Sequence, residues 1–73
     1  MDMLTHYTER AADMGDFALH FALRDVVDTM KLWKHESPQH PYNAKLHAEF
    51  DAYTVELERR RAARAAKRKG RAN

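Results

Sequence analysis

The sequence contains no cysteine, only two glycines and two prolines, and no long run of apolar residues. Without cysteine, no disulfide can stabilise this chain of 73 residues, so its stability has to come from well-formed helices or from a partner. No segment approaches the roughly 20 apolar residues that span a bilayer. Met1, Asp2 and Met3 carry no basic stretch of the kind that begins a signal peptide. We therefore expect one domain at most, in the cytoplasm and without a membrane partner.

The residue patterns of an enzyme are also missing. The sequence has no glycine-rich phosphate loop, and its carboxylate pairs, such as Asp25 with Asp28, have a spacing typical of solvated helix surfaces. The five histidines are His6, His20, His35, His40 and His47. They form neither a His-Glu-x-x-His pattern nor a Cys/His ligand set. We expect a protein that is not an enzyme, with no catalytic residue, no cofactor, no metal site and no small-molecule substrate.

Acidic residues are absent after Glu58, and this absence divides the chain by charge. Residues 1–58 contain five basic and all eleven acidic residues, a net charge of −6. Residues 59–73 contain eight basic residues and no acidic one. The sequence therefore predicts an acidic helical body, residues 1–58, followed by a basic tail, residues 59–73.

The basic tail is the first candidate binding segment. Its cations are Arg59, Arg60, Arg61, Arg64, Lys67, Arg68, Lys69 and Arg71. They can bind an acidic surface, or they can neutralise phosphates and release counterions, which gives salt-dependent, sequence-independent affinity for nucleic acid. No aromatic residue follows Tyr53, so a nucleic acid would be contacted at its backbone and not by base stacking. A solubilising terminus without a binding role is the simpler alternative.

Helix-forming residues dominate what is present, and breaks at Gly15 and at residues 37–41 predict three helical segments. These cover residues 2–14, residues 17–35 and a third stretch for which Asn43 is the expected N-cap. Gly15 is expected to close the first segment and Asp16 to cap the second. Apolar residues recur at steps of three and four. They are Met3, Leu4, Tyr7, Ala11 and Met14, then Leu19, Leu23, Val26, Met30 and Trp33, then Leu46, Phe50, Tyr53 and Leu57.

The apolar stripe stops after Leu57, but the helix can continue. Glu56 and Arg60 are spaced to pair, and the tail is rich in helix formers up to Gly70, which is expected to end the helix. Repulsion between its cations favours fraying. The sequence thus predicts an all-α fold, a small bundle of two main antiparallel helices plus a short N-terminal helix, with a basic, partly disordered C-terminal tail.

Two phenylalanines lie off the apolar stripe of the second segment. Phe17 and Phe21 must either pack against the first segment or remain exposed. Large aromatic side chains dominate the energetics of protein interfaces. Together with Tyr7 and the carboxylates Asp25 and Asp28, they are the candidate residues for binding a protein partner.

The chain length, the acidic helical body, the basic C-terminal arm and the general character of the opening segment Met1–Tyr7 carry a resemblance. In these respects the sequence resembles the small RNA-polymerase-binding transcription regulators that lytic bacteriophages encode, including those of phages that infect Xanthomonas. The resemblance implies a protein of the host cytoplasm that docks on the largest subunit of RNA polymerase. It also implies inhibition of initiation at promoters and antitermination, the read-through of terminators. No motif allows binding residues to be transferred.

Two other functions stay open from the sequence, although a monomer is expected. The chain can bind nucleic acid directly through the tail, or it can be a structural subunit that oligomerises through its amphipathic helices. A helix-turn-helix DNA reader is disfavoured because residues 37–41 form a longer connection than that motif's tight turn. Under the polymerase-binding hypothesis, deletion of residues 59–73 should weaken activity and its salt dependence while leaving docking of the body partly intact.

Overall fold

The computed structural model describes residues 2–33 and 40–71, with side chains described as far as Arg68. Within these residues the chain forms three helices and no strand: α1 (Met3–Asp13), α2 (Asp16–Leu32) and α3 (Pro41–Arg71). The prediction of an all-α fold with a short N-terminal helix and two main helices is confirmed. The expected extension of the second helix to His35 falls outside the described residues.

The connection between α1 and α2 differs from the sequence-based prediction. Asp2 caps α1 by accepting a hydrogen bond from the Thr5 N–H at 2.7 Å. Gly15 is extended, with φ of −68°, and occupies the N-cap position of α2 without a capping side chain. Asp16 is therefore the first residue of α2 and not its cap. Its carboxylate is bound by arginines of α3 instead of capping the helix.

The start of α3 also lies earlier than expected. Pro41 is its first residue, a position that suits proline because the missing N–H has no helical partner there. The Nδ1 atom of His40 accepts a hydrogen bond from the Tyr42 N–H at 3.1 Å. Asn43 therefore lies inside the first turn, where it is buried, and the prediction that it caps the helix is wrong.

The helix continues through the tail. It includes Gly70 and ends at Arg71, so the prediction that Gly70 terminates it is wrong. At a rise of about 1.5 Å per residue, the 31 residues of α3 account for about 46 Å of the 52 Å long axis of the molecule. The remaining expectation of tail disorder concerns residues 72–73, which lie outside the described part of the chain.

The three helices are arranged around α3. α2 runs antiparallel to it, since Trp33 at the end of α2 packs on Tyr42 with ring centroids 4.6 Å apart, while Asp16 at the start of α2 reaches Arg60. α1 also packs against α3 and places Met14, its C-cap, beside Arg60. The fully or nearly fully buried apolar residues are Tyr7, Ala11, Leu19, Val26, Leu46, Ala52 and Tyr53.

Most of the predicted apolar positions belong to this core. Met14, Leu23, Met30, Trp33, Phe50 and Leu57 are partly buried against it. Met3 and Leu4 are exposed, and the first buried residue of α1 is Tyr7. Among residues 2–33 and 40–71, no helix combines the length and hydropathy that crossing a membrane requires.

Candidate binding surfaces

Helix α2 carries apolar residues on two opposite sides. One side faces the core through Leu19 and Val26. On the other side Phe17, Phe21 and Leu32 are 81%, 66% and 82% exposed. We call this second side the outer face of α2, and it comprises Phe17, Phe21, Arg24, Asp25, Asp28 and Leu32. Large apolar side chains in contact with water lower the solubility of a small protein, so three of them on the solvent side of one helix are unusual.

The two phenylalanines form the centre of this face. Their ring centroids lie 5.9 Å apart with an interplanar angle of 33°, as their spacing of one helical turn allows. The rings and Asp25 border a shallow depression floored by Ala18 and Ala22. A second depression, beside Phe21, is lined by Arg24, Asp25 and Asp28. Phe17, Phe21, Asp25 and Asp28, four of the predicted partner-binding residues, therefore share one surface.

Tyr7, the fifth predicted partner-binding residue, lies elsewhere. It is a buried member of the core and is 8% exposed. Its place in the apolar stripe of α1, which the sequence also indicated, explains this position. Tyr7 is therefore unavailable as a contact residue on the outer face of α2, and we exclude it from that surface.

The start of the basic tail is joined to the body through Arg60, whose side chain is only 15% exposed. Its Nη1 donates to Asp16 Oδ1 at 2.8 Å, and its Nη2 donates to the carbonyl oxygens of Ala11 at 3.1 Å and Met14 at 2.6 Å. Its Nε donates to Glu56 Oε2 at 3.3 Å, which confirms the predicted Glu56–Arg60 pair. One guanidinium thus links the end of α1, the start of α2 and α3, and places positive charge at the negative end of the α1 dipole.

Two further arginines of the tail also bind carboxylates of the body. Arg64 binds Asp16 Oδ2, and Arg59 donates from Nε to both Glu56 oxygens at 2.9 Å. We call Asp16, Glu56, Arg59, Arg60 and Arg64 the arginine junction. Because the junction crosses the predicted boundary at residue 58, the separation between an acidic body and a basic tail is incomplete.

The other tail cations with described side chains do not bind these carboxylates. Arg61, Lys67 and Arg68 are exposed and make no ion pair with another described residue. The side chains of Lys69 and Arg71 lie outside the described part. Arg61, Arg64 and Arg68 surround a depression of about 220 Å³ with Ala65 at its edge. Their spacing of three and four residues puts the three guanidinium groups on one side of α3.

The junction lowers the pKa values of both its carboxyl groups. The hydrogen bond from Arg60, followed by the charge of Arg64, holds the pKa of Asp16 below its usual 3.8. The hydrogen bond and charge of Arg59, with the charge of Arg60, hold the pKa of Glu56 below its usual 4.5. Both groups therefore favour the folded state when they are ionised.

Acidification is therefore expected to destabilise the fold over a defined window. Above the unfolded pKa values of 3.8 and 4.5 the contribution of the two carboxylates is complete. As the pH falls below these values the unfolded chain takes up protons first, so the free energy of unfolding decreases until the folded groups are protonated too. Thermal unfolding measured from pH 6 to pH 2.5 should show a falling midpoint. Asp16→Asn should give a shallower fall, and an identical slope would contradict a role for Asp16.

Sequence reasoning missed two features of these surfaces. Leu32 also belongs to the outer face of α2, because its spacing of eleven residues from Phe21 places it on the same side of the helix. The sequence predicts Asp16 only as a cap, because its contacts with residues more than 40 positions away have no local signal in the sequence. Among residues 2–33 and 40–71, no group of three or more possible metal ligands comes together.

Comparison with known proteins gives no relative: no family model, no curated protein and no solved structure matches this chain. Only the surfaces described above and the resemblance noted from the sequence bear on the function of this protein.

Proposed function

We propose that this protein is a non-enzymatic transcription regulator that binds RNA polymerase through the outer face of α2. The proposed effects are inhibition of initiation and promotion of read-through at terminators, as the resemblance to phage regulators implies. The observation that carries the docking proposal is the exposure of Phe17 and Phe21 on the side of α2 opposite the core. The basic tail would lie near nucleic acid in the transcription complex.

The chemistry of the outer face favours a partner surface with an apolar recess flanked by cations. Burial of two neighbouring phenylalanine rings supplies the kind of central aromatic contact that dominates interface energies. Asp25 and Asp28 border the rings, and the net charge of −6 on residues 1–58 steers the body toward a basic surface. Arg24 lies among these groups and would set the orientation of docking through one carboxylate of the partner.

The test is binding and transcription with purified bacterial RNA polymerase. The double variant Phe17→Ser/Phe21→Ser is expected to lose affinity at least tenfold, because truncation of central aromatic contacts costs roughly 2 kcal/mol or more. It should lose inhibition of initiation and terminator read-through in parallel.

A matched control removes exposed apolar side chains from other helices. Leu4→Ser/Val55→Ser changes two exposed residues on α1 and α3 and should leave polymerase binding intact. Equal loss in both double variants, or loss in neither, would refute docking through the outer face. A doubled sedimentation mass that depends on Phe17 and Phe21 would assign that face to a second copy of the chain instead.

A second candidate function is direct, sequence-independent binding of nucleic acid. The observation that favours it is the continuation of α3 to Arg71 with Arg61, Lys67 and Arg68 unpaired among the described residues. A helix with this charge distribution suits contact with backbone phosphates. Under this function the protein should shift labelled duplex in the absence of polymerase at physiological salt, whereas pure polymerase docking gives no such shift.

A further inference from the structure

We propose that Arg61, Arg64 and Arg68 form a binding site for the phosphate backbone of nucleic acid, and that Asp16 competes with phosphate for Arg64. This inference rests on the nucleic-acid binding proposed as the second candidate function. The new elements are the side of α3 that contacts the phosphates and the carboxylate of the body, Asp16, that weakens this contact.

The three arginines lie on one side of α3. They line one depression on α3, and the eight residues from Arg61 to Arg68 span about 10 Å along the helix. Each strand of duplex DNA has one phosphate for about every 3.4 Å of helix axis, and neighbouring phosphates are farther apart than this rise because the strand winds around the axis. The row is therefore long enough to contact about two phosphates. Arginine is the side chain best suited to these oxyanions because its planar guanidinium donates two parallel hydrogen bonds.

An oxyanion already binds the middle arginine of this row. The Asp16 carboxylate bridges two arginines, with Oδ1 on Arg60 Nη1 at 2.8 Å and Oδ2 on Arg64. A phosphate group presents the same kind of acceptor oxygens with at least equal charge. Arg60 and Arg64 are therefore oriented in a way that binds an anion, and Asp16 occupies a place on Arg64 that a phosphate oxygen would take.

The two arginine contacts of Asp16 differ in how easily a phosphate can displace them. The Arg64 and Asp16 side chains are 57% and 51% exposed, and an ion pair this accessible contributes little net stability. Arg60 is 15% exposed and also binds two carbonyl oxygens, so it stays in the junction. Phosphate is thus expected to recruit Arg64 while Arg60 keeps the helices together.

The experiment measures affinity of the full chain for a fluorescently labelled 20-base-pair duplex over a series of salt concentrations. Asp16→Asn should bind several-fold more tightly than the unchanged protein, with a salt dependence steeper by about 0.9, the value for one more phosphate contact. Asp13→Asn makes the same change in net charge at an exposed residue close by, so it corrects for long-range electrostatics. The amide oxygen that Asp16→Asn introduces still accepts a hydrogen bond from Arg60, and circular dichroism checks the fold.

A second variant tests the site itself. Arg61→Gln/Arg68→Gln should weaken duplex binding at least tenfold and reduce the salt dependence by about 1.8, the value for two lost contacts. Unchanged affinity in this variant would overturn the three-arginine site. Asp16→Asn binding no more tightly than Asp13→Asn would overturn the competition and leave the site in place. Failure of every variant to bind duplex or single strand at 50 mM salt would overturn the nucleic-acid function as well.

Discussion

Replacing Arg60 with alanine is expected to lower the thermal midpoint of unfolding by about 4–24 °C. The variant removes a largely buried guanidinium that donates to two carbonyl oxygens at the end of α1 and to the carboxylates Asp16 and Glu56. Leaving such acceptors without their charged donor costs about 1–3 kcal/mol. In a domain of this size each kcal/mol shifts the midpoint by about 4–8 °C. The measurement is the loss of helical circular dichroism on heating.

Arg61→Ala is the matched control for this prediction. It removes the same side chain from the next residue of α3, where the guanidinium is exposed and makes no ion pair with another described residue. The control should unfold within about 3 °C of the unchanged protein, as is usual for exposed substitutions. If the two variants unfold at the same temperature, Arg60 does not join the three helices. Arg60→Lys should have an intermediate thermal midpoint, because a single ammonium group cannot donate to all four acceptors that the planar guanidinium contacts.

The fold was largely predictable because its information is local. The three-and-four spacing of Leu19, Val26, Leu46 and Tyr53 identified the buried sides of α2 and α3. The residue at which each helix begins was harder to predict from the sequence. Asn43 is a better cap than His40 by residue type, but proline suits the first position of a helix, and α3 begins at Pro41.

The candidate sites were predictable only in part, because their geometry depends on long-range contacts. Phe17 and Phe21 could be placed off the core stripe of α2, but whether they pack against α1 or remain exposed is decided only by the packing of the helices, which leaves both exposed. The different environments of Arg60 and Arg61 could not be predicted, because both are cations in the same charge run. Only the packing of α1 and α2 on α3 decides that Arg60 meets Asp16 while its neighbour faces solvent.

The arginine junction gives the first part of the tail a structural role that differs from the role of the remainder. Arg59, Arg60 and Arg64 bind carboxylates of the body, whereas Arg61 and Arg68 remain available for anions. A deletion of the whole tail therefore changes stability and binding together. It cannot by itself distinguish a binding segment from a structural one.

Two truncations separate these roles and are the most informative change to the chain. Ending the chain after Arg64 keeps the arginine junction, and the thermal midpoint should stay within a few degrees, because Ala65 to Arg68 are exposed. Ending it after Glu58 also removes Arg59, Arg60 and Arg64, so the midpoint should fall at least as far as in Arg60→Ala. Only the chain that ends at Arg64 therefore reports on function without a loss of fold.

The chain that ends at Arg64 has a defined expected effect on binding. It lacks the four cations Lys67, Arg68, Lys69 and Arg71, so the salt dependence of duplex binding should decrease by up to about 3.6 at 0.9 for each lost phosphate contact. Affinity for polymerase through the outer face of α2 should be retained, because Phe17 and Phe21 are unchanged. A stable truncated protein with unaltered duplex affinity would remove the end of α3 from nucleic-acid binding. Equal thermal midpoints for the two truncations would show that the helices pack without the arginine junction.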